Sequence, residues 1–128
     1  MNTNRRAGQW GLGLLLLLGV AAANAQPSAV ERGKATFQHS CTPCHGDGVG
    51  DDGHAMLPGT DALRIKYKGT AIPPLLERRT DLTEPVLKTF VRTGSFSMPP
   101  FRPTELTDRE IGDIAAYLAV SSKAAATR

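Results

Sequence analysis

The chain has few cysteines, and this scarcity excludes most structural uses of them. Only Cys41 and Cys44 occur among its 128 residues. A disulfide-stapled secreted domain usually carries several bridges, and a bridge across so short a loop removes little entropy from the unfolded chain. A structural zinc site needs four ligands, and the sequence has no second Cys-x-x-Cys pair. A disulfide framework and a structural zinc site are therefore both poor interpretations of these residues.

Patterns typical of β-structure are also missing. No segment alternates between apolar and polar residues for long enough to predict a sheet. A thioredoxin-like dithiol lies beside a βαβ unit, so the lack of strands argues against that interpretation as well. The sequence instead predicts an all-α domain of four to five short helices with long connecting loops.

A membrane-spanning run and a strong charge excess are absent too. Two arginines precede the apolar run WGLGLLLLLGVAAA, which is 14 residues long and ends near the triplet Ala-Asn-Ala. This pattern is typical of a secretory signal peptide, so we predict a leader over residues 1–25 and a mature domain over residues 26–128. The run is shorter than the roughly 20 residues that cross a bilayer. We expect a periplasmic protein, exported across the bacterial inner membrane, with no stable membrane anchor after cleavage.

The mature domain has almost no net charge. Without the two leader arginines, the 15 Lys and Arg residues of the chain fall to 13, against 12 Asp and Glu residues. A nucleic-acid-binding domain normally shows a clear basic excess, so we expect no nucleic-acid partner. A domain of this size has a marginal hydrophobic core unless a staple, metal or cofactor supports it.

Helical signals are clearest near the two ends of the mature domain. The segments SAVERGKATFQHS and TDREIGDIAAYLAV each begin with a capping box, Ser28 with Glu31 and Thr107 with Glu110. A third helix is predicted in TEPVLKTFVRTG, with Thr83 as its cap and Gly94 as its end. Weaker signals predict a helix over about residues 61–67 and a turn over residues 74–78. Long Gly- and Pro-rich loops between them suggest a chain that wraps around a bound group.

The segment from Cys41 to His45 reads C-x-x-C-H, the attachment pattern of a c-type haem. Two thiols spaced i and i+3 on one helical turn can form thioethers with both vinyl groups of one porphyrin. The adjacent His45 can then bind the iron from the proximal side. Export agrees with this interpretation, because such attachment takes place outside the bacterial cytoplasm. We therefore predict one covalently bound haem c held by Cys41 and Cys44.

The second axial ligand decides between an electron carrier and an enzyme. Met98 lies 53 residues after His45 in the loop SFSMPPFRP, where two prolines stiffen the backbone. His54 and Met56 would need a tight reversal to reach the distal face, and His39 is too near the attachment site. We predict Met98 as the distal ligand and His54 as the second candidate. An open sixth position would instead indicate a haem c peroxidase or a gas-sensing protein.

Further residues could hold the cofactor without binding iron. A metal-bound histidine usually donates its other ring N–H to a carbonyl or carboxylate. The backbone carbonyl of Pro58, in the segment MLPG, is our candidate acceptor for His45, although an ordinary turn explains a Pro-Gly pair equally well. Candidates for the haem propionates, each also explained as a solvated side chain, are Arg64, Tyr67, Arg78 and Arg79.

Together these features resemble the class I cytochrome c family over nearly the whole mature domain. The family places C-x-x-C-H at the end of its first helix and a distal methionine before its last helix. Cys41, Cys44, His45 and Met98 match those positions, and MPPF matches the family's frequent M-P-x-F. The resemblance implies a cytochrome c-like fold around one covalent haem. It also implies an electron-transfer protein that is not an enzyme by itself.

The resemblance extends to the crossing of the first and last helices. The family packs a small residue and aromatic side chains there, and Gly33, Phe37, Ile114 and Tyr117 match them. One departure is plain, because Trp10, the only tryptophan, lies in the predicted leader. The indole that contacts a propionate in some members is therefore missing.

A narrower likeness concerns the redox partner. The segments KYKG, LLERRTDLT and MPPFRPTELTD are similar to the small cytochrome subunits of p-cresol methylhydroxylase and eugenol hydroxylase. In those complexes a flavoprotein oxidises a 4-alkylphenol and passes electrons to the haem. The likeness implies a flavoprotein dehydrogenase subunit as the electron donor. A non-haem interaction module with a local disulfide is a further alternative.

Overall fold

A computed structural model describes residues 26–50 and 55–127, so the predicted leader and His54 lie outside the described residues. Within these ranges the chain forms five α-helices, one 3₁₀ turn and no regular strand, which confirms the predicted all-α class. The helices are α1 (Ala29–Ser40), α2 (Thr42–His45), α3 (Pro58–Lys66), α4 (Glu84–Thr93) and α5 (Asp108–Ala126), and the 3₁₀ turn is Leu76–Arg78. None of the described helices combines the length and the apolar character that a membrane crossing requires.

Both predicted capping boxes are present and fix where α1 and α5 begin. The Ser28 hydroxyl accepts a hydrogen bond from the Glu31 amide at 3.2 Å, and the Glu31 carboxylate accepts one from the Ser28 amide at 2.7 Å. Thr107 and Glu110 repeat the same pair at 3.2 and 2.7 Å. These side chains satisfy amide groups that no helical carbonyl can reach.

The crossing of α1 and α5 is the most extensive helix contact of the fold. Gly33 lies directly against the α5 backbone, because a Cβ atom built on it would be 1.9 Å from the Asp113 carbonyl oxygen. The rings of Phe37 and Tyr117 pack with centroids 5.5 Å apart. Arg32 donates hydrogen bonds from Nε and Nη2 to the Asp113 carboxylate at 2.8 and 2.9 Å. The predicted close approach at Gly33 is confirmed.

The hydrophobic core extends from this crossing to α4 and to the segment before α5. It contains nine buried side chains: Phe37, Leu82, Leu87, Val91, Leu106, Ile111, Ile114, Tyr117 and Leu118. The third predicted helix is confirmed as α4, which follows Thr83 and ends at Gly94 with φ of 70°. The predicted helix over residues 61–67 is longer, since it begins at Pro58, whose fixed φ suits a first helical turn.

Candidate functional site

The cysteine pair lies on the short helix α2, which follows α1 almost without a break. Cys41 ends α1, donating its amide to the Phe37 carbonyl at 2.8 Å, and also begins α2, accepting the His45 amide at 2.8 Å. One helical turn therefore separates Cys41 from Cys44, and both thiols are free. This geometry leaves two thiols available to one ligand instead of closing a disulfide.

The two thiols have different surroundings. Cys41 is partly buried and packs against the hydrophobic core, whereas Cys44 is exposed. Burial, followed by the influence of Cys44, raises the pKa of the Cys41 thiol to about 11. Cys41 is therefore a neutral thiol at pH 7 and lies against apolar side chains.

The His45 imidazole is partly buried beside this pair. Burial, followed by the positive charge of Arg79, lowers the pKa of His45 below its ordinary value, so the ring is neutral at pH 7. Neutral imidazole is the form that binds metals. The Nδ1 atom is buried and has no hydrogen-bond partner among the described residues. Because Nδ1 is enclosed, Nε2 is the ring nitrogen left for an iron, and the site fits a haem in this respect.

The segment from residue 55 onward returns to His45, but not in the predicted way. The hydrogen bond expected from Nδ1 to the Pro58 carbonyl is not formed. Pro58 is the first residue of α3, and a carbonyl in helical backbone points along the axis of its own helix. Gly59 contacts the ring instead, because a Cβ atom there would be 2.8 Å from Nδ1. A role for Pro58 beside the haem stays a prediction.

Gly59 is a site residue that the sequence analysis missed. Any side chain at this position would also lie 2.8 Å from the Cys44 carbonyl, so only glycine allows α3 to approach α2 so closely. Thr60 secures the contact, since its buried hydroxyl donates to the Gly46 carbonyl at 2.9 Å. The Pro-Gly pair was the available signal, but it has the same appearance in an ordinary turn.

Met98 lies in a tight loop between α4 and α5. Its amide donates to the Ser95 carbonyl at 2.9 Å, and its carbonyl accepts the Ser95 amide at 3.1 Å. Gly94 allows this turn, because a Cβ atom there would be 2.6 Å from the Met98 carbonyl oxygen. The Met98 side chain is partly buried and packs against the same hydrophobic core as Cys41. The loop therefore holds the thioether in a defined place on the core.

Arg92 of α4 binds the part of this loop that leads to α5. Its Nη1 donates to the Phe101 carbonyl at 3.0 Å, and its Nη2 donates to the Leu106 carbonyl at 2.7 Å. Nη2 also pairs with the Asp108 carboxylate at 2.6 Å. Sequence reasoning missed Arg92, because an arginine near the end of an amphipathic helix usually indicates only a solvated face. Its contacts make it a positioning residue for the loop.

Two of the four propionate candidates lie together. Arg79 is only 6% exposed, and its guanidinium carbon lies 4.9 Å from the centroid of the Tyr67 ring. Its Nε donates to the Asp81 carboxylate at 2.9 Å, and this partner raises the pKa of Arg79 further. A buried cation close to His45 is suited to an anionic group of a cofactor. The other two candidates, Arg64 and Arg78, are exposed.

The remaining candidate ligands are less well placed. His39 is exposed in the last turn of α1, and Met56 is partly buried just before α3. Within residues 26–50 and 55–127, no three His, Cys, Asp or Glu side chains lie close enough together to hold a metal ion. A haem iron does not need such a cluster, because the porphyrin supplies four of its ligands and the protein only the axial ones.

Comparison with known protein families shows which family the chain belongs to. Residues 28–118 match the family described as Cytochrome C oxidase, cbb3-type, subunit III. The match covers α1, the C-x-x-C-H turn, the loop with Met98 and the first half of α5. No curated protein and no solved structure matches the chain significantly. The matched segment is a cytochrome c domain, which agrees with the resemblance to c-type cytochromes and with haem-based electron transfer, and the chain belongs to this family.

Proposed function

We propose that the protein is a periplasmic electron carrier with one haem c. Cys41 and Cys44 would hold the porphyrin covalently, and His45 and Met98 would bind its iron. When bound, the haem supplies an iron that alternates between Fe(III) and Fe(II). The observation that carries the proposal is the α2 turn, where two free thiols lie one helical turn apart beside a partly buried, neutral imidazole.

The chain's own residues would orient the cofactor. Packing of Gly59 against the ring fixes the imidazole, so that Nε2 is presented and Nδ1 is shielded. Arg79, stacked on Tyr67, offers a buried positive charge for a propionate. This role accounts for a guanidinium that is buried although its partner Asp81 is half exposed.

Met98 is proposed as the distal ligand because its loop is held in one place by protein contacts. The hydrogen bonds between Ser95 and Met98, together with the hydrogen bond from Arg92 to the Phe101 carbonyl, hold this loop against the core. A thioether ligand favours reduced iron and raises the reduction potential. A closed sixth position also leaves no place for a peroxide or a gas, which distinguishes a carrier from the alternative enzyme or sensor.

Replacement of Met98 by alanine tests this assignment. Oxidised haem-loaded protein should show a weak absorption band near the red end of the spectrum, which arises from the Met–Fe(III) bond. We expect Met98→Ala to lose this band and Met56→Ala, the matched control, to keep it. An unchanged band in Met98→Ala would transfer the ligand role to another residue. A colourless wild-type protein in a pyridine haemochrome assay would exclude haem altogether.

We further propose a flavoprotein dehydrogenase as the electron donor, which rests on the likeness to subunits that serve 4-alkylphenol-oxidising enzymes. The haem would drain electrons one at a time from the reduced flavin. The experiment is to mix oxidised protein with such a flavoprotein, add 4-methylphenol and follow haem reduction by absorbance. If the haem stays oxidised while the flavin is reduced, the protein would instead serve a different dehydrogenase or a terminal oxidase.

A further inference from the structure

Phe96, at the tip of the Met98 loop, combines two unfavourable features. It is the one non-glycine residue of the described ranges with a positive φ, 52°, and its side chain is 101% exposed. Glycine adopts this conformation without steric cost, whereas a bulky residue is strained in it. The ring contributes nothing to the core, so neither folding nor the turn itself explains a phenylalanine here. Strain of this kind is a reason to look for function.

The turn constrains the backbone that carries the ring. Ser95 and Met98 exchange two backbone hydrogen bonds across Phe96 and Ser97, at 2.9 and 3.1 Å. The backbone on both sides is restricted as well, by the contact of Gly94 with the Met98 carbonyl and by two prolines after Met98. A phenylalanine on a constrained backbone has only two side-chain torsions to lose on binding, and aromatic residues dominate interface energetics.

The loop that carries the ring has no charged residue from Ser95 to Phe101. The exposed neighbours in the chain are Ser97, Pro99 and Pro100. A shallow groove separates this loop from the end of α1 and is lined by His39, Ser40, Pro99, Pro100, Phe101 and Glu105. Glu105 is the acidic residue of this lining, and Arg102 pairs with it at 2.9 Å. A partner that matches this surface must itself be uncharged and apolar, because an unpaired charge facing it would be buried without a counterion.

We propose that Phe96 anchors the docking surface for the redox partner by inserting into an uncharged, apolar recess of that protein. The inference rests on the proposed electron-carrier function and adds the chemistry of recognition. A partner seated on Phe96 contacts the same loop that carries Met98, two residues away. Docking is then hydrophobic and nearly independent of salt, unlike recognition between oppositely charged faces. The strained backbone is the cost of placing the ring outward.

Voltammetry of the haem-loaded protein on coated gold electrodes tests this proposal with a defined probe. A methyl-terminated alkanethiol layer stands in for the apolar recess, and a carboxylate-terminated layer is the charged comparison. We expect productive adsorption on the methyl layer at low and high salt. Phe96→Ser should lower the electron-transfer rate per adsorbed molecule about tenfold on the methyl layer, the effect of removing an aromatic anchor. Val120→Ala, which removes a 53% exposed side chain from α5, should leave that rate unchanged.

A second variant separates docking from folding. Phe96→Gly relieves the positive φ, so its urea midpoint should equal or exceed that of wild type while its rate on the methyl layer falls as in Phe96→Ser. Equal rates for wild type and both Phe96 variants would overturn the proposal, as would adsorption that depends on salt and on the carboxylate layer. Phe96-dependent dimerisation in sedimentation, or Phe96-dependent binding to phosphatidylcholine vesicles, would overturn it in favour of a second copy or a lipid surface. A protein with no redox signal on any layer would contradict the proposed function itself.

Discussion

The α1–α5 crossing and the loops around the C-x-x-C-H turn differ in how completely their groups are satisfied. At the crossing, both helix starts are capped, Gly33 contacts backbone, and the buried carboxylate of Asp113 has a bidentate partner. Near the turn, the buried Nδ1 of His45 lacks a partner among the described residues. Of the large exposed apolar side chains within residues 26–50 and 55–127, only Val120 lies on a crossing helix, and the rest are Val49, Ile65, Ile72, Phe90 and Phe96.

This difference indicates that the two regions have different tasks. The crossing brings together residues that are far apart in the sequence and contributes stability from protein contacts alone. The region around the C-x-x-C-H turn keeps apolar surface and polar atoms available, which suits a region that a cofactor and a partner complete. Changes at the crossing should therefore act on global stability, and changes in the loops should act on iron ligation.

Substitution of Gly33 should disrupt the packing of α1 on α5 and have the largest effect on the free energy of unfolding. In Gly33→Ala, the new methyl group would lie 1.9 Å from the Asp113 carbonyl oxygen and 2.9 Å from the Ile114 amide nitrogen, both backbone atoms that cannot turn aside. We expect the free energy of unfolding to fall by about 3 kcal/mol, the upper range for overpacking. Urea denaturation followed by helical circular dichroism measures the change.

Gly112→Ala is the matched control, because it adds the same methyl group to the other crossing helix. The nearest atom would be a Glu84 carboxylate oxygen at 3.4 Å, on a flexible side chain. Alanine favours helix over glycine by about 1 kcal/mol, so this variant should be as stable as wild type or more so. If the two variants lost equal stability, general helix distortion and not the close approach at Gly33 would be responsible.

Loosening the Met98 loop should have a smaller effect on stability than Gly33→Ala, and this effect should be local to the loop. Arg92→Gln removes the donors to the Phe101 and Leu106 carbonyls. We expect a loss of about 2 kcal/mol, within the range for hydrogen bonds made by a charged group. The Met–Fe(III) band should disappear at a lower urea concentration than helical circular dichroism does, because the loop opens before the crossing.

Lys88→Gln is the control for this experiment. Lys88 lies one turn before Arg92 on α4 and pairs with the same carboxylate, Asp108, at 2.6 Å, but both partners are half exposed. Exposed ion pairs contribute little, so the two probes should report nearly the same midpoint as in wild type. A similar separation of probes in both variants would show that Asp108, and not the carbonyl clamp, holds the loop.

The sequence predicted the features that depend on local patterns, and it missed those that depend on which segments meet. Both capping boxes and the close approach at Gly33 follow from short-range signals or from the family resemblance, and the structure confirms them. Gly59 and Arg92 could not be found in this way. Their roles arise from contacts with residues that no periodicity connects to them, such as the His45 ring and the carbonyls beyond Met98.

Tyr117 links the crossing to the 3₁₀ turn and should give the smallest effect, visible mainly as a pH dependence. Its hydroxyl donates a short hydrogen bond to the Glu77 carboxylate. Burial, followed by this bond and the negative charge of Glu77, raises the pKa of Tyr117 to about 12. A pKa above the ordinary tyrosine value near 10 means that the protonated ring stabilises the folded state below pH 10. That contribution is lost as the pH rises through about 12.

Phenylalanine at position 117 keeps the packing against Phe37 but has no proton to lose. Tyr117→Phe should therefore be less stable than wild type by about 1 kcal/mol at pH 7, the usual value of one hydrogen bond. The gap should shrink between pH 10 and 12, because wild type loses its advantage there while the variant does not. Urea midpoints of both proteins across this range test the expectation, since lysine titration affects both alike. A constant gap would mean that the Glu77 contact does not stabilise the protonated tyrosine, and that Tyr117 serves the crossing by packing alone.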